Sequence, residues 1–439
     1  MGTVTRQKVV VSETASGINS AAMIPRKQLD IGWSDLIGAF GRSLVPFDRV
    51  RLEYGLEAAW RNAESLQRTN ACLSGNDSSA ILTALSVRSG FDATLTSLDW
   101  PPGSEVLVSA ITIRDMPRIL VEHGLRVVPV DVEMDSLAVR LESLALAVTP
   151  QTRGILVAHL FGAQMSMQPI IDFARERGLF VFEDCAQAFT GNGDIGHPES
   201  DVRLFSFGPI KTTTALGGAV LSFRDASLRD RVAVVQAAWP VQSRIDFLRR
   251  VLRFGMFKFV SSRFIFTAFV NVCRWLGVSH DDMLSRGVRG FAGGDIFARI
   301  RRRPSSPLLS LLLRRLRQHH DERIARRKSL ARELDAILSG IDRPGRAAHD
   351  HSFWVYPIHH DRPDKLMRYL WRAGFDATRG ASSMGLVESS SLDAQQQQPH
   401  AASESLSRLL YLPFDPSMTT DDVVRLARAV ETFATTVPK

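Results

Sequence analysis

The chain of 439 residues reads as an α/β protein, with a central, mostly parallel sheet and a smaller C-terminal α+β domain. Three observations predict this class. Between about Asn70 and Val220, short β-rich runs alternate with helical patterns, the signature of strands joined by crossover helices. One strand-like run ends in paired carboxylates, at the sheet edge where α/β proteins bind ligands. Beyond residue 300 the pattern changes to a long helical run, two isolated strand-like segments and a closing helix.

Element by element, Glu105–Ser109, Leu125–Val130, Gly154–His159 and Leu179–Glu183 read as strands, and Ala219–Phe223 as a returning one. Met116–His123 and Met167–Arg177 read as the helices between them, the second followed by Gly178 as a C-cap. Pro307–Leu338 carries leucines on one face and arginines on the other and is expected to be helical. His351–His359 and Arg408–Pro413 are expected as strands of the small domain, closed by a helix from about Thr420 to Thr435. Ser389–Ser405, with its run of glutamines, is expected to be a mobile loop. The expected organisation is an N-terminal arm (1–45), a large domain (46–240), a basic, Phe-rich insertion (241–300) and a small C-terminal domain (301–439).

Apolar residues make up 45% and charged residues 23%, the balance of a chain that folds rather than stays disordered. Cys72, Cys185 and Cys273 are too scattered for a metal-binding spacing or a disulfide framework, so no metal is expected and a reducing cytoplasm fits. No secretory signal pattern opens the chain, and no apolar run is long enough to span a bilayer. The net charge of +8 is unevenly spread, much of the excess lying between Arg244 and Lys328.

The chemistry is concentrated in two stretches. Phe182-Glu-Asp-Cys-Ala-Gln187 ends a strand in two acids, and Leu204-Phe-Ser-Phe-Gly-Pro-Ile-Lys211 follows, leading to Gly217-Gly218. A lysine amine able to form an imine, and a carboxylate able to keep a pyridine nitrogen protonated, are what a pyridoxal 5′-phosphate (PLP) site requires.

With these residues the chain resembles the DegT/DnrJ/StrS-type aminotransferases, which act largely on keto-sugars attached to nucleotides. The resemblance rests on Glu183-Asp184-Cys185-Ala186-Gln187 and Ser206-Phe207-Gly208-Pro209-Ile210-Lys211, and runs with gaps from about Ser74 to Leu426. It implies the aspartate-aminotransferase-like fold (PLP fold type I), a homodimer, and transamination from glutamate or glutamine to a keto acceptor. It also implies that Lys211 binds PLP covalently, Asp184 faces the ring nitrogen, Gln187 lies near the ring hydroxyl, and Ser206 helps hold the phosphate. Asn76, Asp77 and Ser78, in Ser74–Ala80, stand where the family has a phosphate-binding turn leading into a helix. There Asp77 replaces a glycine, and a plain helix cap is the rival reading.

Two departures are expected to remodel the pocket. Ile113 stands where the family places an aromatic ring against the cofactor, and the loop after the lysine is reduced to Ala215-Leu-Gly-Gly218. Arg303, with Arg301 nearby, matches a position implied to reach a neighbouring subunit. The 245–289 segment leaves three readings open: buried helices, a dimer interface, or peripheral contact with the inner face of the membrane, the last suited to a lipid-linked acceptor. Nucleic-acid binding is not expected, since the arginines alternate with bulky apolar residues and no recognition motif accompanies them. A non-catalytic or regulatory protein that kept the fold is the rival to an enzyme.

Overall fold

The computed structural model describes residues 22–26, 28–70, 80–191, 196–288, 295–318, 321–380, 384–389 and 399–436. Seven strands build the central sheet: β1 (Ala80–Ala84), β2 (Glu105–Ser109), β3 (Arg126–Val130), β4 (Thr152–Ala158), β5 (Phe180–Asp184), β6 (Val202–Ser206) and β7 (Ala219–Phe223). Their spatial order is β1-β7-β6-β5-β4-β2-β3. Strands β3, β2, β4, β5 and β6 pair in parallel, while β7 runs antiparallel to both β6 and β1. The parallel strands are nearly continuous apolar runs because helices cover both faces of the sheet.

Of the helices, α1 (Trp33–Leu44) and α2 (Arg49–Asn70) precede the sheet, and α3 (Val87–Leu98) links β1 to β2. Two helices fill the Phe-rich segment, α4 (Arg244–Val260) and α5 (Arg263–Trp275), followed by a shorter one over His280–Val288. The leucine–arginine run is two helices, α6 (Ser306–Arg317) and α7 (Asp321–Ile337). In the small domain β8 (Tyr356–His359) pairs antiparallel with β9 (Leu409–Leu412), and α8 (Thr420–Thr436) packs on α7.

The predicted strands and helices lie within a residue or two of the observed ones, except that only Tyr356–His359 of 351–359 forms a full strand beside the short pair Asp350–His351. Two expectations are corrected. His400–Arg408 is a helix rather than part of a loop; its alanines and serines pack inward at Ala402 and Ser405. The turn expected at Ser74–Ala80 does not lead into a helix, because Ala80–Ala84 is a strand, and the helix begins only at Val87. Asn76, Asp77 and Ser78 lie outside the described residues.

Candidate active site

The site forms at the C-terminal ends of β5 and β6. Successive residues of a strand point to opposite faces, so Glu183 and Asp184 at the end of β5 serve different tasks. Glu183 is buried and accepts hydrogen bonds from His159 Nε2 (2.9 Å), Ser200 Oγ (2.6 Å) and the His197 N–H (2.9 Å). Burial alone would raise its pKa, but these donors, His159 foremost, hold the carboxyl below its usual range. Nδ1 of His159 accepts the Met165 N–H (3.2 Å), so Nε2 carries the ring proton. The pair, with Cys185 close by, is a hydrogen-bonded brace for the strand ends.

Asp184 is also buried, yet its Oδ1 accepts only the Ala186 N–H (2.9 Å) and, among the described residues, no cation lies within ion-pair distance of it. Burial, only partly offset by that N–H and by the charge of Lys211, pushes its pKa up. Gln187 uses its Oε1 to accept the Phe161 N–H (3.0 Å), while its NH2 group meets the Met384 sulfur, a poor acceptor, at 3.1 Å. Each of these side chains therefore keeps hydrogen-bonding capacity for a ligand.

Ser206 ends β6, and the chain then turns tightly to Lys211, whose N–H donates to the Gly208 carbonyl (3.0 Å). The carbonyl of Phe207 accepts from both Ala215 and Gly217, closing the loop that carries the lysine. Thr213 and Leu216 adopt left-handed backbone conformations (φ 57° and 61°), which cost free energy for residues with side chains and must be held by their surroundings. Part of the hold comes from the N-terminal arm, where Asp30 Oδ2 accepts the Thr213 N–H at 2.9 Å. The ammonium of Lys211 lies 4.3 Å from the centroid of the Trp354 ring, and the indole N–H of Trp354 donates to Ile210 O (2.8 Å). Burial first, and Arg88 in the same direction, push the Lys211 pKa down to about 8 against the opposing pull of Asp184.

Arg88 marks a further corner of the site, one that the sequence pattern did not single out. Between β1 and α3 the chain turns through Leu85-Ser86-Val87-Arg88, Ser86 caps α3 by accepting the Ser89 N–H (3.2 Å), and Leu85 O accepts the Gly218 N–H (3.0 Å). The N-terminus of α3 thus abuts the glycine pair after the lysine. The Arg88 guanidinium is steadied by an ion pair with Asp115, and its charge is felt at both Asp184 and Lys211. This is the strand–turn–helix geometry that binds phosphates. Its glycine-free sequence gives no local signal of such a turn. Asp30 and Trp354 were also missed, since nothing local connects them to the lysine loop.

Ile113 lies next to this corner, in a short strand over Ile111–Ile113 that pairs with Met384–Leu386, so aliphatic and thioether groups line the wall where a ring was absent from the sequence. Arg301 and Arg303 are engaged within their own chain: Arg301 grips Asp92 through two bonds of 2.9 and 3.0 Å, and Arg303 donates to Trp239 O (3.0 Å). Beyond Ile210 and Trp354 lies a cavity of about 130 Å³, walled chiefly by Phe254, Phe257 and Phe266 of the insertion and by Tyr411 and Phe414 of the small domain.

Residues 65–244 match the model of the DegT/DnrJ/EryC1/StrS aminotransferase family. Over these residues the chain is similar to this family. Over 160 residues it is 33% identical to UDP-N-acetyl-3-dehydro-alpha-D-glucosamine 3-aminotransferase of Acidithiobacillus ferrooxidans, covering 35% of this chain and 43% of that protein. A longer match, 25% identical over 344 residues, is to dTDP-4-dehydro-2,3,6-trideoxy-D-glucose 4-aminotransferase of Saccharopolyspora spinosa, with 76% of this chain and 79% of that protein covered. Thus the chain spans less than half of the first relative's length and about four fifths of the second's. The aminotransferase TlmJ from Streptoalloteichus hindustanus shares the fold, with a TM-score of 0.65 at 18% identity, covering 95% of this chain and all of that one. The fold type I architecture expected from the resemblance is the one observed.

Proposed function

We propose that the protein is a PLP-dependent aminotransferase that moves an amino group from glutamate or glutamine to the carbonyl of a nucleotide-linked keto-sugar, working as a homodimer in the cytoplasm. The observation that carries this reading is the convergence of Lys211, Asp184 and the Ser86–Arg88 turn, from three separate elements, on one corner of the sheet. A buried acid lacking a cation within ion-pair reach, a buried amine beside it and a helix N-terminus fit the three poles of PLP: ring nitrogen, aldehyde and phosphate. The family match over residues 65–244 and the sugar-nucleotide relatives support the same substrate class.

PLP, when bound, supplies an electron-withdrawing ring that acidifies the carbon next to the substrate nitrogen. The protein does the rest. Asp184, kept from water, holds the proton on the ring nitrogen. Gln187 directs its NH2 group at the ring hydroxyl. The α3 N-terminus, Arg88 and Ser206 take the phosphate. Lys211 would hold the cofactor, and its neutral Nζ would move the proton at the substrate carbon. Its lowered pKa suits a base that works near neutrality. The apolar cavity beside Ile210 and Trp354 suits an acceptor with a deoxygenated or acylated face better than a hydroxyl-rich one.

The test separates the two halves of the reaction. Purified protein carrying PLP is yellow. Glutamate or glutamine is expected to bleach it, and a nucleotide-linked keto-sugar to restore the colour. Colour that no amino donor bleaches favours the non-catalytic alternative and refutes the proposal.

A further inference from the structure

We propose that α1, α4 and α5 together form a docking surface for an anionic lipid bilayer, on which the protein lies without spanning it. Each helix has its inward face satisfied. Leu36 and Ala39 of α1 and Phe247, Val251 and Phe254 of α4 share one core with α6, and Phe266 and Val270 of α5 pack on Met23. Each nevertheless carries a second apolar stripe facing solvent. On α1 it is Trp33, Ile37, Phe40 and Leu44, and on α4 it is Ile245, Leu252, Met256 and Phe259, both at helical spacing. On α5 it is Phe264, Val272 and Trp275, the two aromatics 84% exposed. Packing joins the three helices: α1 lies against α4, α4 against α5, and the Lys258 ammonium stands 5.8 Å from the Trp33 ring centroid.

Charge selects the occupant. From Arg244 to Trp275 there are seven Lys or Arg residues and one acid, Asp246. Arg249 and Arg253 flank the stripe of α4, and Arg274 that of α5. A second copy of the same surface would bring arginines against arginines, whereas anionic headgroups neutralise them while the aromatics enter the interface. The family match ends at Arg244, so α4 and α5 lie outside the part of the chain that carries the shared catalytic motifs. Neither helix alone is long and apolar enough to cross a bilayer, and the two meet at 87°, which fits a surface that rests on lipid.

The whole protein, loaded with PLP, is floated with vesicles of phosphatidylcholine alone and with vesicles containing phosphatidylglycerol. Co-flotation with the anionic vesicles only is expected. Arg249→Glu with Arg253→Glu is expected to weaken binding more than about tenfold, at roughly a fivefold effect per basic residue, and Phe264→Ser with Trp275→Ser is expected to reduce the bound fraction by removing the two most exposed aromatics of α5. Quenching of the wild-type tryptophan fluorescence by brominated lipid is a second readout that needs no variant. Absence of flotation and quenching, or binding indifferent to lipid charge, overturns the proposal. So does conversion of a dimer into a monomer by the serine variants with flotation unchanged, which would assign the surface to a second copy.

Discussion

Replacing Asp184 by Asn probes the electrostatics of the site most sharply. In the wild-type protein before cofactor binds, burial holds the Lys211 pKa at about 8 rather than 10.5, and the Asp184 charge is what keeps it from falling further. At pH 7 the neutral, nucleophilic amine is therefore about 300-fold more abundant than in an ordinary lysine, from the 2.5-unit difference between those two values. Asparagine at this position is nearly isosteric but uncharged, so the lysine is expected to lose its proton at still lower pH. The assay is the rate of PLP capture by apo-protein across pH, followed as growth of yellow absorbance. Wild-type rates should rise through a midpoint near 8, and the variant's through a lower one. Transamination by the variant should nevertheless fall by several orders of magnitude, since an amide cannot hold the ring-nitrogen proton. A wild-type midpoint near 10.5, or one unmoved by the substitution, would refute the electrostatic argument.

Further outcomes follow from the same structure. Arg88→Ala is expected to weaken PLP binding about 10- to 100-fold, the worth of a charge-assisted bond to phosphate, with little change in Tm; an unaltered dissociation constant contradicts the assigned turn. Glu183→Gln should destabilise the fold by about 1–3 kcal/mol, because it leaves His159, Ser200 and the His197 N–H with a weaker buried acceptor, as denaturant titration would show. Glu183's folded-state pKa lies below the unfolded value of 4.5, so its stabilisation is complete above that pH and drains away as pH falls through the folded value; the Gln variant should show a flatter acid limb. Gly162→Ala should cost roughly 1–3 kcal/mol or more, since φ is 97° and a Cβ would stand 2.5 Å from Ser352 Oγ and 2.6 Å from Trp354 N. Its effect is expected to reach the lysine through the shifted Trp354, and unchanged stability would argue against that coupling.

What could be read from the sequence, and what could not, divides along the range of the interactions. The buried parallel strands were legible because their apolar runs are bounded by turns, and Lys211 and Asp184 because their flanking residues are contiguous. The turn at Ser86–Arg88 was not, since it lacks glycines and is defined by the strand before it, while Asn76, Asp77 and Ser78 lie outside the described residues. Asp30 and Trp354 reach the lysine loop from about 180 and 140 residues away, through single hydrogen bonds that leave no periodic trace. The basic segment announced its amphipathic character, but only the fold revealed that α1 adds a second exposed stripe alongside it.

The most direct test asks which amine carries the cofactor. Yellow protein is reduced with borohydride, digested, and mapped by mass spectrometry for the pyridoxyl group. That group is expected on the peptide carrying Lys211, and its loss is expected in Lys211→Ala. Finding it on Lys258 or another lysine, or finding none on protein that binds PLP, would contradict the assignment.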